Sequence, residues 1–199
     1  VNRAVKGKDL QASISLSFDE AFKGCSKKVS IRIPSTGETE TVTVNVPAGA
    51  VDGGKMRFRG KGEFGIDGGP RGDLLVITRL AEHPLYERDG ANVVMRLDVS
   101  IAEAALGASI VVPTPDGSMV KMRVPAGSQD GATLRVKGKG APYLKGKGAG
   151  NGDLLIKVHV NVPKTLTAEQ KAALEAFRDA SPDPSELRPE VAAATASTR

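Results

Sequence analysis

The residues of this 199-residue chain with the greatest capacity for chemistry are two histidines, one cysteine and a run of glycines and lysines. Gly60-Lys61-Gly62-Glu63-Phe64-Gly65 matches the Gly-x-Gly-x-x-Gly pattern that, between a strand and a helix, seats a pyrophosphate at a helix N-terminus. Here Ile66-Asp67-Gly68-Gly69-Pro70 follows in place of a helix, so the run reads as a structural loop. Gly146-Lys147 is followed by Gly148, where a phosphate-cradling loop needs a hydroxyl residue. His83 precedes Pro84 and His159 lies in a strand-like stretch; neither stands beside a nucleophile motif that a general base would serve. Cys25 is close to Lys27 and Lys28, whose charge favours a thiolate, but no local active-site pattern accompanies it. A lone cysteine excludes an intramolecular disulfide and a Cys-rich zinc site, and it points to a cytoplasmic protein. The carboxylates are scattered without EF-hand or His/Glu metal spacing. No catalytic residue, metal or cofactor is expected, and the chain does not read as an enzyme.

The elements that carry these residues are written twice. Val46-Pro47-Ala48-Gly49, Asp52-Gly53, Arg57, Gly60-Lys61-Gly62 and Gly72-Asp73-Leu74-Leu75 return as Val124-Pro125-Ala126-Gly127, Asp130-Gly131, Arg135, Gly138-Lys139-Gly140 and Gly152-Asp153-Leu154-Leu155. The spacing is 78 residues for the first four blocks and 80 for the last, so the chain is a tandem duplication with a small loop insertion. Upstream, Ser17-Phe18-Asp19-Glu20 and Ser100-Ile101-Ala102-Glu103 are capping boxes, each predicting one short helical turn, stopped at Gly24 and Gly107. Leu10, Ala12, Ile14 and Leu16 alternate with polar residues, as do Val29-Ile31-Ile33, Val42-Val44-Val46, Val93-Met95-Leu97-Val99 and Val120-Met122-Val124, predicting strands with one buried face. Leu74 to Ile77 and Leu154 to Ile156 are apolar on both faces, which suits central strands. Each repeat reads as a small, antiparallel-rich β-sandwich with a helical turn, over 7–83 and 84–163. Thr167-Ala168-Glu169-Gln170 starts a short amphipathic helix within 164–181, with Leu174 and Phe177 at helical spacing. From 182 to 199 three prolines and little to bury predict a disordered tail.

Composition narrows the classes further. The chain is 40% hydrophobic and 26% charged, which is ordinary for a globular protein, and no apolar run approaches the roughly 20 residues of a membrane span. No basic-then-apolar leader follows Val1, so no secretory signal is expected. The net charge of +5 permits contact with nucleic acid, but the absence of Trp and the presence of only two Tyr disfavour base stacking, and a nucleic-acid partner is not expected.

The ordered series of Ser-x-x-Glu-Ala, Val-Pro-Ala-Gly, Asp-Gly, Arg-Gly-Lys-Gly and Gly-Asp-Leu-Leu, then Glu82-His83-Pro84-Leu85-Tyr86-Glu87-Arg88-Asp89-Gly90 and Val112-Pro113-Thr114-Pro115-Asp116-Gly117, closely resembles the substrate-binding half of the Hsp40 (DnaJ) co-chaperones. The resemblance covers about residues 7 to 180. It implies two β-rich domains followed by a helix that pairs two chains into a forked homodimer, here through Leu174 and Phe177. The four Cys-x-x-Cys-x-Gly-x-Gly elements of zinc-bearing members are absent near Ser35-Thr36-Gly37, so the chain resembles the zinc-free class. No His-Pro-Asp tripeptide of the type that stimulates the Hsp70 ATPase occurs. By position, the resemblance places a client-binding groove on Ala12, Ile14, Val29, Ile31 and Val76, for which plain core is the alternative. It also places the seat of the acidic Hsp70 tail at Lys27, Lys28 and Arg32, with Ser30, Thr39 and Ala81 standing where family members carry further basic residues. The implied partners are unfolded polypeptide and Hsp70. A β-sandwich interaction module without chaperone activity and a basic nucleic-acid binder are the other readings.

Overall fold

The computed structural model describes residues 3–198. They fall into two units divided after Asn161, the first holding both repeats.

In the first repeat β1 (Leu10–Leu16) leads into α1 (Phe18–Lys23), the hairpin β2 (Cys25–Arg32) and β3 (Thr39–Val46), then β4 (Lys55–Phe58) and β5 (Leu74–Leu80). Strand β5 lies between β1 and β4, with Leu74 and Val76 buried on one face and Leu75 and Ile77 half-buried on the other, while β2 and β3 form a separate two-stranded sheet. Both sheets turn alternate residues onto one core: Ile14 and Leu16 from β1, Ile31 from β2, Val42, Val44 and Val46 from β3, Leu74 and Val76 from β5. The central pairing is parallel, Leu10 opposite Leu74 through Leu16 opposite Leu80, so this sheet is mixed, while the other two pairings of the repeat are antiparallel. A parallel neighbour needs a long return connection, and the α1–β4 excursion supplies it.

The second repeat copies this plan with β7 (Asn92–Ser100), α2 (Ile101–Leu106), β8 (Ala108–Pro113), β9 (Met119–Val124), β10 (Thr133–Val136) and β11 (Leu154–Asn161), and adds β6 (Tyr86–Asp89) at its start. β7 is parallel to β11, as β1 is to β5. The order β10-β11-β7-β6 puts β6 against the strand equivalent to β1. Both capping boxes are formed, the Ser17 and Ser100 hydroxyls accepting from the Glu20 and Glu103 amides, and Gly24 and Gly107 end the turns at φ of 78° and 81°.

The duplicated signature residues turn out to be structural pins. The Asp73 carboxylate accepts from the Gly60 amide at 3.1 Å and from Arg57 at 2.7 Å, and Asp153 accepts from Gly138 and Arg135 in the same way. Asp52 and Asp130 accept from the Leu80 and Val160 amides, each at 2.9 Å. Gly62 donates to the Gly72 carbonyl and Gly140 to that of Gly152. The Asp73 and Asp153 contacts thus pin the β4–β5 and β10–β11 loops, and the Asp52 and Asp130 contacts tie the β3–β4 and β9–β10 loops to the central strands.

The repeats do not keep separate cores. Phe18 and Phe22 of α1 belong to the cluster formed by Tyr86, Val93, Met95, Leu154 and Ile156. The sequence boundary at 83/84 thus cuts through an aromatic stack in which the Phe18 ring lies 5.1 Å from His83 and 5.4 Å from Tyr86. Arg88 adds a polar clamp, donating to the Ala50 and Gly49 carbonyls at 2.9 and 3.0 Å.

In the second unit the Thr167 box caps α3 (Ala168–Ala180), none of whose residues is buried. Where the sequence predicted disorder from 182 onward, a 3₁₀ turn (Pro184–Leu187) and α4 (Pro189–Ala196) are present. A proline in the first turn of each and the high helix propensity of alanine account for them; neither element buries a residue. Arg199, the last residue of the expected tail, lies outside the described residues. Among the described residues no helix is long and apolar enough to cross a membrane.

Candidate functional site

The residues with catalytic chemistry are already occupied. In the Gly60–Gly65 run the amides of Gly60, Gly62 and Glu63 donate to Asp73, Gly72 and Lys8, which makes the run a loop tied to its neighbours. His83 uses Nδ1 to accept the Leu85 and Tyr86 amides at 3.0 and 3.2 Å, which makes it a turn-forming acceptor. His159 lies 3.3 Å from Asp130 on a half-exposed strand end. Burial, and then the Glu20 carboxylate, push the Cys25 thiol above its ordinary range. No group of three or more metal-ligating side chains occurs among the described residues.

The five groove candidates divide into two sets. Ile14, Ile31 and Val76 are 6%, 8% and 0% exposed, within the first repeat's core. The two sheets close over these three, so they stand where the plain-core alternative puts them. Ala12 and Val29 are half-buried and lie at the margin of that core, with Ala12 opposite Val76 and Val29 opposite Val42.

The edge beside Ala12 distinguishes the repeats. Leu10 donates its amide to Asp73, and Leu16 accepts from Ala81, so even-numbered residues of β1 direct their backbone groups toward β5. Those of Gln11 and Ser13 then point to the other side, and among the described residues no strand pairs with them. In the second repeat β6 occupies the matching edge of β7. Sequence reading missed β6, although Asp89-Gly90 is a hairpin signal and Gly90 has the positive φ of 60° that such a turn uses. The burial of Phe18 and Phe22 in the second repeat had no counterpart in the periodicity of a six-residue helix.

The three basic candidates also separate. Lys27 is engaged, 3.0 Å from Glu20 and donating to the Ser15 carbonyl at 2.8 Å, and the Ser17 N–H, then Lys27, hold the Glu20 carboxyl below its usual range. Lys28 and Arg32 are exposed on β2 opposite Thr43 and Thr39, without an ion-pair partner among the described residues. On α3, Leu174 is half-buried and Phe177 is 70% exposed.

The candidate site is a sheet edge with an apolar margin and a flanking basic strand. Residues 10–163 match the model of the DnaJ C terminal domain, and the chain belongs to that family. It is 47% identical over 143 residues to "Chaperone protein DnaJ" of Cereibacter sphaeroides strain KD131, which covers 72% of this chain and 37% of that protein. It is 46% identical over 168 residues to the Pediococcus pentosaceus protein of the same name, covering 81% and 44%. For the Enterococcus faecalis protein the identity is 49% over 143 residues, covering 72% and 36%. The chain thus spans less than half the length of the curated relatives it matches.

Proposed function

We propose that this chain is the client-holding part of a DnaJ-type co-chaperone: it binds unfolded polypeptide at the first repeat and presents it to an Hsp70. The observation that carries this reading is the open edge of β1 against the β6-covered edge of β7. An unfolded segment exposes backbone N–H and C=O groups whatever its sequence, so an open edge gives sequence-tolerant affinity, and the adjoining apolar margin at Ala12 and Val29 adds side-chain contact. Lys28 and Arg32 are the cations free to receive the acidic Hsp70 tail, while Lys27 must first leave Glu20. The helix α3 joins two chains through Leu174 and Phe177. With no His-Pro-Asp tripeptide in its sequence, the chain holds clients without stimulating the ATPase.

The test is suppression of aggregation of a chemically denatured reporter protein. Substoichiometric to equimolar chain should lower light scattering. If scattering is unchanged and a fluorescent unfolded client shows no binding, the chain is a β-sandwich interaction module of another kind.

A further inference from the structure

The spacing between the repeats is 78 residues from Gly62 to Gly140 and 80 from Gly72 to Gly152, so the second copy's added residues lie in the loop 141–151. This loop carries Lys145 and Lys147 and no carboxylate. It folds on itself, the Tyr143 amide donating to Gly150 at 3.0 Å and the Lys147 amide to Leu144 at 2.8 Å. Leu144 and, from the first repeat, Val51 are walls shared by two hollows. One, of about 360 Å³, also touches Ala91, Pro142, Tyr143 and Lys147; the other, of about 120 Å³, reaches Lys55 and Met56. Together they form a crevice along the seam of the two repeats. The polar groups on its walls are already engaged: Gly49 donates to Ala21 and accepts from Arg88, Ala91 accepts from Ala141, and the Thr78 hydroxyl donates to Val51 at 2.7 Å. The walls left to meet a ligand are apolar, with Lys55 and Lys147 as the charged residues and no Asp or Glu.

From this lining we infer that the seam binds a small amphipathic anion, an unbranched long-chain carboxylate, with its head at Lys147 and its alkyl chain running past Leu144 and Val51 toward Met56. The volume is that of a small-molecule site, and a junction between two folded repeats is where such sites form. Engaged backbone groups offer an extended polypeptide no partner strand, which favours a ligand whose body makes no hydrogen bonds. The two lysines select the sign of the head group, and the Lys55 methylene stem adds apolar surface at the far end. The crevice shares no residue with the β1 edge, so the inference does not depend on client holding. Because both repeats wall the crevice, an occupant ties one to the other and stabilises the folded state by mass action.

Dodecanoate below its micelle concentration is the probe, titrated calorimetrically into the full chain. It should bind and raise the melting midpoint. Octanoate, with fewer methylenes to bury, should bind about tenfold more weakly or worse. Dodecyltrimethylammonium, with the same chain and the opposite charge, should not bind. Lys147→Ala should weaken dodecanoate by about fivefold, and Leu144→Asp, which sets a carboxylate in the shared wall, should abolish binding. A second measurement needs no variant: dodecanoate carrying a diazirine at its terminal carbon should, on irradiation, label Val51, Met56 or Leu144 of the native chain. Any of four results overturns the site: equal affinity for the anionic and cationic chains, equal binding by the native chain and Leu144→Asp, labelling confined to β1 and β2, or binding to phosphatidylglycerol vesicles with none to free dodecanoate.

Discussion

Ile14 and Ile31 share a face with half-buried neighbours in the sequence pattern, and period-two alternation cannot separate the middle of a core from its rim. Their burial predicts that Ile14→Ala and Ile31→Ala each cost about 2–5 kcal/mol in urea unfolding, as large-to-small changes in a packed core do. Val29→Ala, at a half-buried position on the margin of that core, should cost less. Asp73 was visible as part of a repeated motif, but its task was not, because its partners are Gly60 and Arg57 on another stretch. The Gly60 amide and then the Arg57 guanidinium lower the Asp73 pKa, and Gly138 and Arg135 lower that of Asp153. An aspartate whose folded pKa lies below the unfolded value of about 3.9 stabilises the fold above that pH and loses the contribution as the pH falls through the lowered pKa. Asp73→Asn should therefore melt below the native chain at pH 7. The gap should close in melts taken progressively below about pH 4.

Strands and capped turns were legible because their signals are local: alternation, a Ser or Thr three residues before Glu or Gln, and glycine where a turn stops. β6 escaped notice for the opposite reason. Its four residues are mostly charged, and what makes it a strand is the edge of β7 on which it lies. Charge on so short an outer strand also discourages further pairing. The helix α3 shows how far an element can be read without its partner: its cap and length agree with the sequence, yet no residue in it is buried. An exposed phenylalanine one turn from a leucine is the stripe that a second helix would cover. The full chain should sediment as a dimer, and a chain ended after Pro163 as a folded monomer, because the compact first unit is complete by Asn161. Equal masses for the two lengths would remove α3 from the role of pairing helix.

At the scale of the whole first unit, the two copies have become one folding body. Phe18 and Phe22 are buried in the second repeat's cluster, and Arg88 bonds back to Gly49 and Ala50. Calorimetry of residues 1–163 should give a single cooperative transition. Arg88→Ala, which leaves two carbonyls without their charged donor, should lower its midpoint. Phe18→Ala combined with Phe22→Ala should split it in two. Retention of one unshifted transition in both variants would mean that the repeats are coupled elsewhere. Duplication was readable from spacing alone; the merging of the cores was not, since it depends on which copy lies against which.

Gly49 and Gly127 are inherited from one ancestral position and share the same backbone twist, φ of 87° and 81°. A side chain on Gly49 would run into the Pro142 carbonyl, whereas nothing lies within 4 Å of the same point on Gly127. The second glycine answers only to its backbone angle, which asparagine also tolerates. The first has acquired a further obligation, as the seat of Pro142 from the other repeat. Two identical letters thus carry different histories, and drift over generations should reach Gly127 well before it reaches Gly49.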